Sequence, residues 1–158
     1  MGTEQQKLEN RARLWGLTVS GMTMGIWGMV EESATSLAPQ IGSQILEMVE
    51  KQLGKKIDAP KADEAVRQLA GVFVDEFGYA ADAKVEGTDK QIKVSFSKAI
   101  SAPEFGMLQQ RGVARLFSHP FMSAAVAVLA RMGRKARWTV AVDPAGGNET
   151  IAFDILQP

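Results

Sequence analysis

The chain has 158 residues, with 18 basic and 18 acidic side chains and a formal charge of zero at pH 7. This length suits one domain with a real core, and 46% hydrophobic and 23% charged residues are typical of a globular protein. The chain has no cysteine, which excludes disulfides, thiolate metal sites and thiol catalysis. It has one histidine, which excludes a multi-histidine zinc site, and its neutral charge gives no reason to expect nucleic-acid binding.

Residues 14–30 form an uncharged run between Arg13 and Glu31. A membrane-spanning helix needs about 20 strongly apolar residues, whereas this run is shorter and is interrupted by threonine, serine and glycine. The stretch before it mixes acidic and basic residues, which is not typical of a signal peptide. We therefore predict a buried or partner-facing helical extension over residues 1–30 and one ligand-binding-like domain over residues 31–158. Without sorting signals, we expect a cytoplasmic protein.

Two amphipathic helices follow the extension. One begins near Pro39 and ends at Gly54, and the other spans residues 62–77 and ends at Gly78. In both helices apolar residues recur at steps of three and four, which predicts one face packed on a core. These residues are Ile41, Ile45, Met48, Val49 and Leu53 in the first helix and Val66, Leu69, Ala70, Phe73 and Phe77 in the second.

The period of the apolar pattern then changes to two, which predicts strands. Residues 79–86 and 91–97 alternate on either side of a glycine-containing turn. Residues 136–143 and 150–157 do the same around a second such turn. We therefore predict two antiparallel hairpins, each with one face in the core.

Two helices are predicted between the hairpins. Ser101 and Glu104 have the spacing of a capping box, and the helix that they begin reaches Phe117. Residues 120–130 carry no charge and are apolar on all sides, which indicates a buried helix. The order of helices, hairpin, two helices and hairpin predicts an α+β domain with its helices packed on one face of an antiparallel sheet.

Several segments together resemble the vinyl reductase-type, or hydrocarbon-binding, domain. This domain is a relative of the Bet-type subunits of the Golgi transport particle and of haem nitric-oxide-binding domains. The resemblance covers roughly residues 25–157. It is carried by the Ile41-Gly42-x-x-Ile45-Leu46 helix, the helix ending in Phe77-Gly78, the strand pair from Tyr79 to Phe96, the helix around Gly112 and the hairpin from Trp138 to Ile155.

The resemblance implies a dimeric architecture with an apolar pocket for a small hydrophobic ligand. Family members often carry metal-binding cysteines after the second strand and in the last hairpin, and transport-particle relatives can hold an acyl chain on a cysteine. Here those segments are residues 98–103 and 143–148, and neither contains cysteine. No metal role and no cysteine-linked acyl chain therefore carries over to this chain.

Three polar side chains are candidates for orienting a ligand. Arg111, Arg115 and His119 are spaced by four, which would place them on one side of a continuous helix. They could donate hydrogen bonds to a carboxylate or phosphate headgroup, although a solvated face is the more ordinary interpretation. For His119, a structural role with its imidazole bonded to backbone is favoured over a proton shuttle or a haem ligand. We therefore predict no cofactor, and no catalytic triad is recognisable.

A basic cluster lies near the last hairpin, where Arg131, Arg134, Lys135 and Arg137 precede Trp138. Such charge is more typical of a helix C-terminus followed by an exposed strand than of a nucleic-acid surface. Trp138 is in phase with the inward residues of its strand, so we expect it in the core. We therefore predict that nucleic acid is not a partner.

The hypothesis for function is non-catalytic binding of a small hydrophobic or amphipathic molecule in a helix-lined pocket of a homodimer. One alternative is a protein-protein interaction module with a solid core, in which the methionine-rich run at residues 14–30 contacts a partner. The other is an enzyme or accessory protein acting on a bound pigment or hydrocarbon. The predicted apolar walls of the pocket are Trp27, Phe73, Phe105, Leu108, Met122 and Val126.

Overall fold

The computed structural model describes residues 1–156, so Gln157 and Pro158, at the end of the predicted domain and second hairpin, lie outside the described residues. The chain is an α+β domain whose elements follow the predicted order. They are α1 (Glu4–Val30), a 3₁₀ helix (Glu31–Leu37), α2 (Ala38–Leu53), α3 (Ala62–Asp75), β1 (Asp82–Gly87), β2 (Gln91–Ser97), α4 (Ala102–Gln110), α5 (Pro120–Arg131), β3 (Lys135–Asp143) and β4 (Asn148–Leu156).

The N-terminal run becomes a single long helix. Thr3 and Gln6 form a capping box at the start of α1, where the Gln6 backbone N–H donates to Thr3 Oγ1 and the Thr3 N–H donates to Gln6 Oε1. The helix ends at Val30, and the positive φ of 46° at the next residue, Glu31, turns the chain into the 3₁₀ helix. None of the helices within residues 1–156 has the length and apolar character that a membrane crossing requires.

The four strands form one antiparallel sheet in the order β1-β2-β4-β3. The two hairpins are the predicted ones, and they join through the β2–β4 pair, in which Val94 lies opposite Ile151. The first strand starts later than predicted. Tyr79 lies outside it because its N–H donates to the Phe73 carbonyl and its own carbonyl accepts from Ile100, so neither group is free to pair with β2.

The helices pack on one face of the sheet, with α5 at the centre. The buried character predicted for α5 is confirmed, because residues 121–129 are all buried. Helix α2 lies unusually close to it. A Cβ atom at Gly42 would come 1.7 Å from the Ser123 carbonyl oxygen, so only glycine allows this approach. Helix α3 packs against β1 and α5.

The segment between α4 and α5 differs from the prediction. Helix α4 ends at Gln110 rather than reaching Phe117, because Gly112 adopts a φ of 94° that no helix accommodates. Leu116 and Phe117 are nevertheless buried, in irregular chain. As a consequence Arg111, Arg115 and His119 do not share one helical face.

Candidate functional site

The predicted apolar wall residues are placed in packed clusters. Phe73, Met122 and Val126 belong to the main core between the helices and the sheet. Phe105 and Leu108 belong to a second, smaller cluster under α1, and half-buried Trp27 packs against both clusters. Two concavities in the described part of the chain, one at the C-terminal end of α1 and one between α3 and β1, are open surface grooves rather than interior cavities. The role of these residues as ligand-binding walls stays a prediction.

His119 lies at the N-terminus of α5 as its cap. The Met122 backbone N–H donates to His119 Nδ1 over 3.2 Å, so the proton of the neutral ring is on Nε2. Nε2 then donates to Glu149, and Phe105 stacks on the ring with centroids 4.8 Å apart. His119 is fully buried and both ring nitrogens are engaged in hydrogen bonds. That it binds no haem stays a prediction.

Glu149 is the centre of a buried polar cluster. Tyr79 Oη donates to Glu149 Oε1 over 2.9 Å, and Ser101 Oγ donates to the same oxygen over 3.0 Å. Burial raises the pKa of Glu149, but the hydrogen bonds from His119, Tyr79 and Ser101 outweigh it and leave that pKa below its usual value. Burial and the charge of Glu149 together raise the pKa of Tyr79 well above 10.0, so this phenol stays a donor.

This cluster connects four parts of the fold, and His119, Glu149 and Tyr79 in it are buried, whereas Ser101 is half-buried. It joins β4, the start of α4, the link before β1 and the N-terminus of α5 through fully or largely buried groups. Sequence reasoning identified His119 but missed Glu149, Tyr79 and Ser101. The available signal was the position of Glu149, which is in phase with the inward residues Ile151 and Phe153 on β4. The hydrogen bonds of the cluster therefore stabilise the packing of these four parts against one another.

The two arginines have different environments. Arg111 is exposed beyond the end of α4. Arg115 lies over the Trp138 ring, 4.4 Å from its centroid, and donates to the Trp138 carbonyl over 2.9 Å. Trp138 itself is buried, and Arg131 of the basic cluster is paired with Glu50 at 2.6 Å. The structure therefore does not bring Arg111, Arg115 and His119 together around one opening.

The outer side of α1 carries large apolar residues in the open. Leu8, Trp15, Met22 and Met29 are spaced by seven and are 62%, 72%, 63% and 84% exposed; we call them the α1 stripe. The residues that α1 buries fully are small and polar, and half-buried Met24, Ile26 and Trp27 pack beside them against the core. Ser20 and Thr23 face inward, and Thr23 Oγ1 lies 2.6 Å from Ser118 Oγ. Most of the large apolar side chains of α1 are therefore exposed, whereas an ordinary surface helix turns its apolar side to the core.

The surface beside the α1 stripe carries three glycines and ends in a groove. A Cβ atom added at Gly21, Gly25 or Gly28 would meet nothing within 4 Å, so these glycines are open to close approach by another element. A groove of about 360 Å³ lies at the C-terminal end of α1; we call it the α1 groove. It is lined by Ile26, Met29, Val30, Ser33, Ser36 and Leu37. Since Met29 belongs to both, the stripe and the groove are continuous.

Comparison with known proteins relates this chain to others by fold. No family model matches the sequence, and no curated protein matches it. Among solved structures, it is similar to a trafficking protein particle complex subunit 3 from Naegleria fowleri that is covalently bound to palmitic acid. The TM-score is 0.66 at 11% sequence identity, over 94% of this chain and 97% of that one.

This structural similarity agrees with the fold that the sequence resemblance to transport-particle subunits implied. The transport-particle part of that resemblance is confirmed at the level of architecture, whereas the vinyl reductase part stays a prediction. This chain has no cysteine, so a fatty acid cannot be held on it as a thioester.

Proposed function

We propose that this protein is a non-catalytic subunit that assembles through the α1 stripe, and that its partner is a second copy of the same chain. As the sequence predicts, it would work in the cytoplasm. The observation that carries the proposal is the exposure of Trp15, Met22 and Met29 along one side of α1. Continuous apolar surface of this kind marks an interaction site, because leaving it in water is unfavourable.

The composition of α1 favours a copy of itself as partner. Residues 14–30 carry no charge, so two such helices meet without repulsion along the whole run. The open glycines beside the stripe allow close backbone approach, and methionine adapts to the shape of an opposing surface. The family resemblance implies a dimer as well. The buried polar cluster and the packed core give the subunit a rigid scaffold behind this surface.

Mass measurement of the intact assembly tests this proposal. We expect native mass spectrometry to show a dimer, and we expect Met22→Lys to shift it towards monomer by about tenfold or more in dissociation constant, because a charge would be buried in the interface. Met48→Lys is the matched control, because Met48 on α2 is also 63% exposed. A wild-type chain that stays monomeric at every concentration would contradict the proposal.

A second candidate function is binding of an acyl chain beneath α1. The protein of similar fold carries palmitic acid, and in this chain three of the predicted wall residues, Trp27, Phe105 and Leu108, converge in the small cluster there. Because the cluster is filled by side chains, a ligand would have to displace them. Without cysteine the chain could hold such a ligand only non-covalently.

Palmitic acid added to the purified protein tests this second function. We expect a mass surplus in the native spectrum that disappears on denaturation, and we expect Phe105→Ala to change the affinity more than Phe73→Ala does. Both variants remove a nearly buried phenylalanine, but Phe73 lies in the main core away from α1. Equal binding by the two variants would place the ligand elsewhere, and no surplus at saturating palmitic acid would refute the function.

A further inference from the structure

We infer that the groove between α3 and β1, which we call the β1 groove, binds an extended peptide segment of a partner protein as a fifth strand of the sheet. The groove lies at the edge of the sheet remote from α1, because α1 packs on α4 and α4 packs on β3, whereas α3 packs on β1. The inference is therefore independent of the proposed self-association. Three features point to it: the unpaired backbone groups of β1, the shape of the groove and the charges at its two ends.

The outer edge of β1 carries backbone groups that do not pair with β2. The Thr88 N–H donates to the Gln91 carbonyl at the turn of the hairpin, and hydrogen-bonded residues alternate along an antiparallel pair. Ala83 and Val85 therefore point their N–H and C=O groups away from β2. The Arg67 side chain agrees with this direction, because it donates to the Val85 carbonyl from outside the sheet, over 3.4 Å. Outward groups of this kind are the template on which a further strand pairs.

The other edge of the sheet is closed by side chains of the protein itself. The outward carbonyls of Trp138 and Val140 on β3 accept hydrogen bonds from Arg115 and Gln109, over 2.9 and 3.1 Å. Within residues 1–156, the outer edge of β1 has only the single long contact at the Val85 carbonyl. A strand can therefore be added at β1, whereas at β3 it would first have to displace two side chains.

The β1 groove has room for side chains of an added strand. Its volume is about 190 Å³, and small or apolar residues of both elements line its middle: Ala70, Gly71, Val74, Ala83 and Val85. A Cβ atom at Gly71 would meet only the Asp75 carboxylate, 3.9 Å away, so the groove is open at this point. Every second side chain of an added strand faces this middle part. Alanine or valine at that position suits the limited volume.

The two ends of the β1 groove carry opposite charges. Arg67 lies at the end beside Val85, whereas Asp75 and Asp82 line the groove further along. Asp75 follows Arg67 by eight residues of α3, or about 12 Å. Four residues of an extended strand span about 13 Å, so a peptide with an acidic and a basic residue four positions apart pairs with both ends. Arg67 is available for this role, because its contact with Asp63 is 3.7 Å long and its side chain is 54% exposed.

A displayed library of random nonapeptides, selected on the full-length protein, tests the chemistry of the partner. We expect enrichment of sequences with an acidic and a basic residue four positions apart and valine or alanine midway. We expect Arg67→Glu to change the acidic preference into a basic one, because the charge at that end is reversed. Arg137→Glu is the matched control, since Arg137 is exposed on β3, and it should leave the preference unchanged. A library that yields no such pattern, or a pattern that Arg67→Glu does not alter, would overturn the inference.

Proline substitutions test the pairing of the backbone. Ala83→Pro removes an outward N–H of β1 and leaves the bonds to β2 in place, and Ala136→Pro makes the same change at the outer edge of β3. We expect Ala83→Pro to weaken binding of a selected peptide about tenfold or more, because it removes a donor and places a ring in the path of the strand. Ala136→Pro should leave the affinity unchanged. Equal effects of the two substitutions would overturn the inference.

Amide hydrogen exchange, followed by NMR on the unsubstituted protein, gives a test that does not depend on the folding of a variant. We expect the bound peptide to slow exchange at Ala83 and Val85 and to leave Ala136 unchanged, because only the first two amides gain a partner. A bound peptide that protects neither Ala83 nor Val85 would overturn the inference. The proposed dimer is judged separately, by the mass of the protein without peptide, so either proposal can fail while the other stands.

Discussion

Glu149 occupies an inward position of β4, where the alternating pattern otherwise places apolar side chains such as Ile151 and Phe153. The structure resolves this conflict by giving the carboxylate hydrogen-bond donors from three residues. His119 and Tyr79 lie 30 and 70 positions away in sequence from Glu149, and Ser101 lies 48 away. A periodic pattern can mark the charged residue as unusual, but it contains no information about which distant donors surround it.

The cluster predicts how stability depends on pH. The pKa of Glu149 is lowered in the folded chain, so on acidification the unfolded chain takes up this proton first. The stabilisation from Glu149 is therefore present above its ordinary pKa of 4.5 and is lost as the pH falls from there through the folded value. We expect Glu149→Gln to lose about 2–4 kcal/mol of stability at pH 7 and to reduce the slope of stability against pH in the acid range.

Thermal unfolding between pH 7 and pH 3 measures both effects. Glu86→Gln is the control, because Glu86 also has a lowered pKa, set by its hydrogen bond with Lys84, but its side chain is exposed to solvent. Its substitution should leave the slope almost unchanged. An acid slope of the Glu149→Gln protein equal to that of the wild type would show that this carboxylate does not control the acid stability.

At the scale of elements, most of the architecture follows from local pattern. Both hairpins and the buried helix α5 are found where the apolar period changes, because burial on one face or on all faces leaves a direct trace in sequence. The end of α4 is different. Apolar residues continue beyond Gly112 at helical spacing, since the irregular segment that follows is buried too, and the pattern alone therefore extends the helix too far.

The close contact of α2 with α5 predicts that a Gly→Ala substitution at this point has the opposite of its usual effect on stability. In a helix interior, Gly→Ala ordinarily stabilises by up to about 1 kcal/mol. We expect Gly42→Ala instead to destabilise by about 1–3 kcal/mol, because the new methyl group collides with the Ser123 carbonyl. Gly71→Ala on α3 is the matched control and should be neutral or stabilising, since its nearest neighbour is a side-chain oxygen 3.9 Å away.

Urea unfolding of the two variants measures these changes in free energy. Opposite signs for Gly42→Ala and Gly71→Ala would show that the close approach of α2 to α5 sets the requirement for glycine. A stabilised Gly42→Ala protein would mean that the two helices can separate without cost.

At the scale of the whole molecule, the sequence predicts the kind of fold but not how its interior is filled. Phe73, Met122 and Val126 were predicted as walls of a pocket, and the structure has them inside the main core. Whether such residues enclose a space or fill it depends on the sum of many side-chain volumes. The same limit applies to α1, whose exposed stripe is visible as apolar spacing but is recognised as outward-facing only once its buried side is known.

The residues on the inward side of α1 have a consequence for the stability of this helix. Ser20 and Thr23 are the fully buried residues of α1, and Met24, Ile26 and Trp27 pack half-buried against the core. Residues 4–15, by contrast, are all exposed, so this half of the helix gains little hydrophobic free energy from the rest of the chain. With the self-association proposed above, the order of this half of the helix is linked by mass action to the concentration of the protein. Below the concentration at which copies meet, the helix would be the first part of the fold to loosen. The concentration of the protein in the cell would thus determine the fraction of molecules in which α1 is fully ordered.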